Sequence, residues 1–175
     1  MHLAILQARM SSSRLPGKVL APVLGQSMIS RQVERLRRAR RIDQLVVATS
    51  TDPSDDVLAA HCADLGLPVY RGDLHDVLDR FRGAAALFPE AETIIRLTAD
   101  CPLADPSVID AVVQRLSDAG ADYVSNTLTA RTFPHGTDCE AVRREALDRA
   151  RLYPANPAFT SADVVALARN SAEVP

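Results

Sequence analysis

The sequence predicts an α/β fold in which a mainly parallel sheet is covered by helices on both of its faces. Short apolar runs of strand length alternate with longer stretches in which apolar residues recur at helical spacing. A helix between two strands returns the chain to the same end of the sheet, so this alternation favours parallel pairing. The 175 residues match the length of one ordinary domain, and we expect a single domain over residues 1–175.

Five segments have the length and composition of strands. They are, in chain order, "HLAILQ" (2–7), "QLVVATS" (44–50), "ETIIRLT" (92–98), "ADYVSN" (121–126) and "GTDCEAV" (136–142). The first three are rich in Ile, Leu or Val, which suits strands that are covered on both faces. In the fifth, Asp138 and Glu140 are two residues apart, so both would point to one side of the strand.

Two helices are predicted from their end signals. The segment 54–66 opens with Ser54 as the expected N-cap, carries two acidic residues in its first turn and closes at Gly66. The segment from Asp105 to Gly120 opens with a capping aspartate followed by Pro106 at the first helical position. Both segments therefore have a defined beginning and end.

Two further helices are predicted from apolar stripes. The stripes consist of Ile29, Val33 and Leu36 in the first helix, and of Val77, Phe81, Ala84 and Phe88 in the second. The basic run "RQVERLRRARR" (31–41) belongs to the same helix as the first stripe, and in it Glu34 can pair with Arg38 one turn later. We interpret this run as a solvated helix face, with a nucleic-acid or partner surface as the alternative.

Composition excludes several classes of protein. The net charge of −2 lacks the basic excess of a nucleic-acid-binding protein, and aromatic residues make up only 4% of the chain, with no Trp. The three cysteines are far apart and lack metal-ligand spacing, which fits a reducing compartment. No signal peptide or membrane-spanning run is recognised. We expect a cytoplasmic protein with no nucleic-acid or membrane partner.

The stretch "QARMSSSRLPGKVL" (7–20) follows the first predicted strand and is unusually basic. In an open parallel sheet, loops at the carboxyl ends of strands bind ligands, and three cations there suit a polyphosphate. These cations are Arg9, Arg14 and Lys18, and Lys18 is the only lysine among the 20 basic residues. The stretch does not match a P-loop, because Ser12 stands where the first glycine is required and Val19 where a Ser or Thr is required. It does not match the dinucleotide-binding pattern either, because no second glycine lies near Gly17. The alternative is a solvated surface loop.

One acidic residue follows another of the predicted strands, and two lie within the fifth. Asp100 lies between the third strand and a helix, where its carboxylate would face the same crevice as the basic loop. Mg²⁺ prefers one or two carboxylates together with phosphate oxygens and water, so Asp100 is a candidate metal ligand, with a turn or capping role as the alternative. Asp138 and Glu140 could bind a sugar or assist the metal, or could form an exposed polar strand face.

The sequence resembles the cytidylyltransferases that make CMP-activated acidic sugars, and most closely their spore coat polysaccharide biosynthesis (SpsF-type) branch. The resemblance begins at "QARMSSSRLPGKVL" and continues in order over about the first 150 residues through "VVATSTDPSDD", "YRGDLHDVLDRF", "IIRLTADCPLADPSVID", "DYVSN" and "FPHGTDCEAV". It implies a Rossmann-like three-layer sandwich of the nucleotide-diphospho-sugar transferase type. It also implies transfer of CMP from CTP to a small sugar, release of pyrophosphate, a role in surface polysaccharide biosynthesis, and a possible homodimer.

The resemblance also implies roles for individual residues. Arg14 and Lys18 would hold the triphosphate and act in catalysis, and Asp100 would bind Mg²⁺. The other residues implied at the nucleotide are Ala8, Arg9, Ser13, Asp76 and Arg80.

One departure from the family pattern leaves alternatives open. The family carries a second metal-binding aspartate near its C-terminus, and this chain, which we expect to be shortened there, has no clear counterpart. Asp138 or Glu140 could substitute for it, or activity could be weak. Alternatively, the chain could bind nucleotide without turnover, or it could be a glycosyltransferase using a nucleotide-sugar donor, for which "DCE" is an imperfect Asp-x-Asp motif.

Overall fold

The computed structural model describes residues 1–12, 14–127, 131–149 and 170–174, and within them a central seven-stranded sheet. Its strands are β1 (His2–Gln7), β4 (Gln44–Ser50), β5 (Val69–Gly72), β6 (Thr93–Thr98), β7 (Tyr123–Ser125), β8 (Glu140–Arg143) and β9 (Ser171–Glu173). A small hairpin outside this sheet pairs β2 (Pro22–Val23) with β3 (Gln26–Ser27).

The strand order β5-β4-β1-β6-β8-β7-β9 confirms the predicted mainly parallel sheet. β1 lies at the centre of the parallel half and pairs with β4 on one side and with β6 on the other. β8 runs antiparallel to both of its neighbours, β6 and β7, while β9 is again parallel to β7. The carboxyl ends of β1 and β6 therefore lie side by side.

Among the described residues, five helices cover the two faces of the sheet. They are α1 (Met28–Leu36), α2 (Asp56–Asp64), α3 (Val77–Ala86), α4 (Pro106–Asp118) and α5 (Arg144–Arg149). One core packs α1, α2 and α4 against one face, and a second core packs α3 and α5 against the other, so the expected three layers are present. The predicted stripes are buried in these cores, with Phe88 partly buried at the end of α3.

Most of the local signals were interpreted correctly. Asp105 accepts a hydrogen bond from the amide of Ser107 and caps α4, and Glu34 pairs with Arg38 at 3.0 Å. The prediction that Ser54 caps the second helix is wrong. Asp52 instead caps a short 3-10 helix over Pro53–Asp55, and α2 begins only at Asp56.

The fifth predicted strand is shorter than expected. β8 begins at Glu140, so Asp138 lies in the preceding loop and does not share a strand face with it. The loop residues are held by other contacts, since the amide of Cys139 donates to the Asn126 side chain at 2.9 Å. Over the described part of the chain, no helix has the length and apolar character needed to cross a bilayer.

Candidate functional site

A cleft of about 580 Å³ opens at the carboxyl ends of β1 and β6. Its walls come from the basic loop after β1, from the end of β6 with the residues that follow it, and from the segment 135–138. The residues predicted to act together are brought together here, since Arg9, Arg14, Lys18, Asp100 and Asp138 all line this cleft. The adjacency of β1 and β6 is what unites loops that are far apart in sequence.

The basic loop turns back on itself just before Lys18. The amide of Gly17 donates to the carbonyl of Met10 at 2.9 Å, and so does the amide of Ser12 at 3.0 Å. Gly17 has a φ of 73°, a conformation that side chains with a Cβ rarely adopt, so a glycine is required at this turn. The turn starts a short 3-10 helix over Lys18–Leu20, in which Val19 is buried and Lys18 faces the cleft.

Two buried polar side chains fix the walls of the cleft. Asp55 is fully buried and accepts hydrogen bonds from the amide of Met10 at 2.7 Å and from the amide and hydroxyl of Ser50 at 3.1 and 2.5 Å. Gln32 of α1, also fully buried, donates to the carbonyl of Thr98 at 2.9 Å. Neither role was predicted from the sequence. Asp55 was interpreted as an acidic residue in the first turn of a helix, and it instead ties the basic loop to the end of β4.

Lys18 and Asp100 face each other across the cleft and form an ion pair, with Nζ 2.9 Å from Oδ2. Their side chains are 23% and 42% exposed. Burial alone would raise the pKa of Asp100, but hydrogen bonds from Lys18 and Thr98 and the charge of Lys18 outweigh it and hold that pKa below its ordinary value. Asp100 is therefore an ionised carboxylate that faces the basic loop.

The remaining cations of the basic loop lie more openly. Arg9 and Arg14 are exposed and line the cleft, while Ala8 is buried and its amide donates to the carbonyl of Ala48 at 3.1 Å. Ser13 lies outside the described residues. Positive charge thus converges on the cleft from the loop, opposite a single carboxylate of the neighbouring strand end.

Asp138 and Glu140 are in different environments. Asp138 lines the cleft and is held by both terminal nitrogens of Arg131, at 2.7 and 3.1 Å. Glu140 is buried in the sheet opposite Arg96, and its Oε1 accepts from Nη1 of that arginine at 2.5 Å. Arg96, which does line the cleft, therefore receives its orientation from Glu140.

Asp76 and Arg80 are not among the residues that line the cleft. Asp76 caps α3 by accepting from the amide of Asp79 at 2.8 Å. Arg80 is buried and donates from Nη1 to the carbonyls of Asp73 and Leu74 at 2.5 and 3.0 Å. Burial is the main reason that the pKa of Arg80 is lowered, and repulsion from the nearby Arg9 lowers it further. The two residues thus shape a loop beside the cleft.

The donor set around Asp100 suits a hard divalent cation that brings or binds other oxygen ligands. Across the described residues, no group of three or more His, Cys, Asp or Glu side chains forms a closed metal cage. Asp100 already accepts a cation, the Lys18 ammonium, on a partly exposed oxygen. Burial raises the pKa of the adjacent Cys101 thiol, which favours its protonated form beside Asp100. One carboxylate completed by phosphate oxygens and water is the coordination that Mg²⁺ favours.

A sequence profile and several known proteins are similar to this chain. A sequence profile of the cytidylyltransferase family matches residues 3–171. The spore coat polysaccharide biosynthesis protein SpsF of Bacillus subtilis is 44% identical over 126 residues, which cover 69% of this chain and 52% of that protein. A 3-deoxy-manno-octulosonate cytidylyltransferase of Syntrophotalea carbinolica is 37% identical over 66% of this chain and 45% of its own length. The chain thus spans about half the length of these relatives.

Solved structures share the fold. A cytidylyltransferase from Leptospira borgpetersenii is 31% identical, with a TM-score of 0.82 over 89% of this chain and 66% of that one. A CMP:2-keto-3-deoxy-manno-octonic acid synthetase solved with CTP is 18% identical, with a TM-score of 0.74 over 99% of this chain and 89% of that one. The three-layer architecture and the strand ends that form the cleft are therefore those of the nucleotide-diphospho-sugar transferase fold.

Proposed function

Because the chain belongs to the cytidylyltransferase family, we propose that it transfers CMP from CTP to an acidic or otherwise unusual sugar, with release of pyrophosphate, in surface polysaccharide biosynthesis. The observation that carries this proposal is the ion pair between Lys18 and Asp100 in a cleft lined by further cations. In that arrangement the cations can bind a triphosphate, and the adjacent Asp100 carboxylate can bind a divalent cation.

The proposed reaction makes one phosphorus–oxygen bond and breaks another. An acceptor hydroxyl oxygen attacks the α-phosphorus of CTP, and the bond from that phosphorus to the α–β bridging oxygen breaks. Pyrophosphate leaves, and the hydroxyl proton passes to water. Arg14 and Lys18 hold the triphosphate and neutralise charge that develops on the leaving phosphates. A magnesium ion on Asp100 would add positive charge at the same phosphates.

The nucleoside end of CTP would lie along the loop after β1. We assign Ala8 and Arg9 to the base, and Ser13 to the same nucleotide site. Asp76 and Arg80 would act on the nucleotide indirectly. Arg80 fixes the loop that contains Asp73 through two carbonyls, and its charge lies close enough to Arg9 to repel it.

The acceptor sugar would occupy the part of the cleft beside β8. Asp138 lines this part, and its carboxylate can accept hydrogen bonds from sugar hydroxyls even while Arg131 holds it. Glu140 would act through Arg96, because the buried carboxylate holds that guanidinium against the cleft. Asp138, which lines the cleft, would also be the additional metal ligand when CTP is bound.

The reaction would take place in the cytoplasm, and the family resemblance implies that the chain pairs as a homodimer. Cys62, Cys101 and Cys139 are all free and buried, as suits a reducing compartment. Sedimentation of the purified chain would test the dimer.

Pyrophosphate release tests the proposed activity. The purified chain would be incubated with each of the four nucleoside triphosphates, with and without Mg²⁺, and with a panel of sugars that includes 3-deoxy-manno-octulosonate. We expect release only with CTP, Mg²⁺ and an acidic sugar. Asp100→Asn should abolish release, whereas Asp118→Asn, at an exposed carboxylate that accepts from Gln114 on α4, should leave it unchanged. CTP binding without release from any acceptor would instead identify a nucleotide-binding homologue without turnover.

A further inference from the structure

We propose that Lys18 occupies the position of the divalent cation at Asp100 when no nucleotide is bound, so that metal and nucleotide bind this cleft as a coupled pair. The inference rests on the proposed function, because it concerns the same nucleotide and metal. It adds an order to their binding: the metal alone is kept out, and the nucleotide admits it by drawing Lys18 away.

Lys18 already occupies one of the two carboxylate oxygens of Asp100. Nζ of Lys18 lies 2.9 Å from Oδ2 of Asp100, a direct hydrogen-bonded contact. The other carboxylate oxygen, Oδ1, faces the Cys101 thiol, whose Sγ is 3.7 Å away. Among the described residues, Asp100 is not hydrogen-bonded to any other cationic side chain. A metal ion that binds Oδ2 must therefore displace the ammonium.

The Lys18 ammonium and a divalent cation compete electrostatically for the carboxylate of Asp100. An ammonium at an oxygen that also binds a divalent cation is destabilised, because at contact distance its repulsion from that cation rivals its own attraction to the carboxylate. The pair is also partly shielded from water, with side-chain exposures of 23% and 42%, so screening does not remove the competition. In the nucleotide-free protein, metal binding must break an existing ion pair, and its affinity is reduced accordingly.

Once a nucleotide binds, its phosphates offer Lys18 a partner that can replace Asp100. Its four-carbon stem starts on the short 3-10 helix at the edge of the cleft, between the basic loop and the end of β6. A triphosphate that binds Arg14, which lines the same cleft, brings several phosphate oxygens within reach of the ammonium. When Lys18 moves to the phosphates, Asp100 is left ionised and unpaired, which creates the anionic site that a divalent cation needs.

Coupling of this kind is reciprocal. If nucleotide raises the affinity for metal by a given factor, metal raises the affinity for nucleotide by the same factor. Lys18 would therefore have two roles: it binds phosphate in the loaded site and stands in for the metal in the empty one. Removing it should weaken nucleotide binding and, unexpectedly for a lost active-site residue, strengthen the binding of metal alone.

Manganese provides the test, because free Mn²⁺ is measured directly by electron paramagnetic resonance. Nucleotide-free wild type, Lys18→Gln and Arg14→Gln would be titrated with Mn²⁺ at 0.15 M salt. We expect Lys18→Gln to bind Mn²⁺ about tenfold more tightly than wild type, the factor that corresponds to about 1.4 kcal/mol. Arg14→Gln removes the same charge from the same cleft but makes no bond to Asp100, so it should stay within about threefold of wild type.

A double variant assigns the effect to the right carboxylate. Lys18→Gln combined with Asp100→Asn should lose the tight Mn²⁺ site. If Lys18→Gln binds Mn²⁺ no more tightly than wild type, whether both bind or neither does, the proposal is wrong. It is also wrong if Arg14→Gln gains as much affinity as Lys18→Gln, because the effect would then be one of net charge.

A second measurement needs no variant. Since Lys18 is the only lysine of the chain, protein labelled with ¹³C-lysine gives a single lysine Cε signal. Adding CTP to the wild type in EDTA should shift this signal as the ammonium leaves Asp100. If calorimetry shows that CTP binds and the signal does not move, the coupling is wrong while the proposed function stands. If CTP does not bind at all, the proposed function fails, and the Mn²⁺ titration still decides whether Lys18 blocks Asp100.

Discussion

Replacing Asp55 should both destabilise the fold and loosen the basic loop. Its carboxylate is fully buried and accepts three hydrogen bonds, one from the amide of Met10 and two from Ser50. Hydrogen bonds to charged groups contribute roughly 1.5–3 kcal/mol each. Asp55→Ala also removes the cost of burying the charge. We therefore expect the free energy of unfolding to fall by about 3 kcal/mol, which is less than the sum of the three hydrogen bonds. That is a large part of the 5–15 kcal/mol typical of a whole domain.

Urea unfolding followed by circular dichroism measures this loss, and Asp56→Ala is the matched control. Asp56 is the next residue, but its side chain is 65% exposed and pairs with Arg71 at the surface. Its removal should change the free energy of unfolding by no more than about 0.5 kcal/mol. Asp55→Ala should also bind CTP roughly tenfold more weakly, because the tether of Met10 is lost and the loop must be ordered on binding. If the two variants unfold at the same urea concentration, the role given to Asp55 is wrong.

Three further predictions concern the cleft and the core. Lys18→Arg should lose most of the turnover although it conserves charge, because a planar guanidinium cannot replace a compact ammonium next to Asp100 and the phosphates; an unchanged kcat would contradict this. Gly83→Ala should lower the free energy of unfolding by about 1–3 kcal/mol although alanine favours helices, because the added Cβ would lie within 2.1 Å of the Tyr70 ring. Thermal unfolding should show this loss in the wild-type background and should show no loss when Tyr70→Ala is also present. The pKa of Asp100 is lowered, so its stabilising ion pair is present above the unfolded-state pKa near 3.8 and is lost as pH falls through the lower folded value. Carboxyl NMR should find this titration at higher pH in Lys18→Gln, and an unmoved midpoint would show that Lys18 does not set it.

Local signals predicted much of the fold. The strand His2–Gln7 matches its apolar run residue for residue, and α4 begins at the expected Asp105–Pro106 pair. These features depend on side chains within a few residues of one another, which the sequence displays directly. That Asp100 would face the crevice of the basic loop was also predicted, because both follow strands of a parallel sheet and the carboxyl ends of such strands share one edge. The direct ion pair between Asp100 and Lys18 was not predicted.

Contacts that depend on strand pairing were not predictable in the same way. Glu140 pairs with Arg96 because β8 lies antiparallel to β6 in a register that puts them opposite each other, and neither fact is written in either segment. Asp55 has the sequence context of an exposed helix start, and only the approach of the basic loop buries it. Residues that support the cleft through long-range contacts were therefore harder to find than residues that line it.

The central place of β1 has a consequence for how the chain acquires its structure. Its two partner strands lie roughly forty and ninety residues further along the chain, so the apolar segment "LAIL" stays unpaired until both are available. Until then this segment exposes unpaired backbone groups and apolar side chains, through which unfolded chains can aggregate. We expect the yield of refolding to fall steeply with protein concentration, and a chaperone that shields this segment early to restore it.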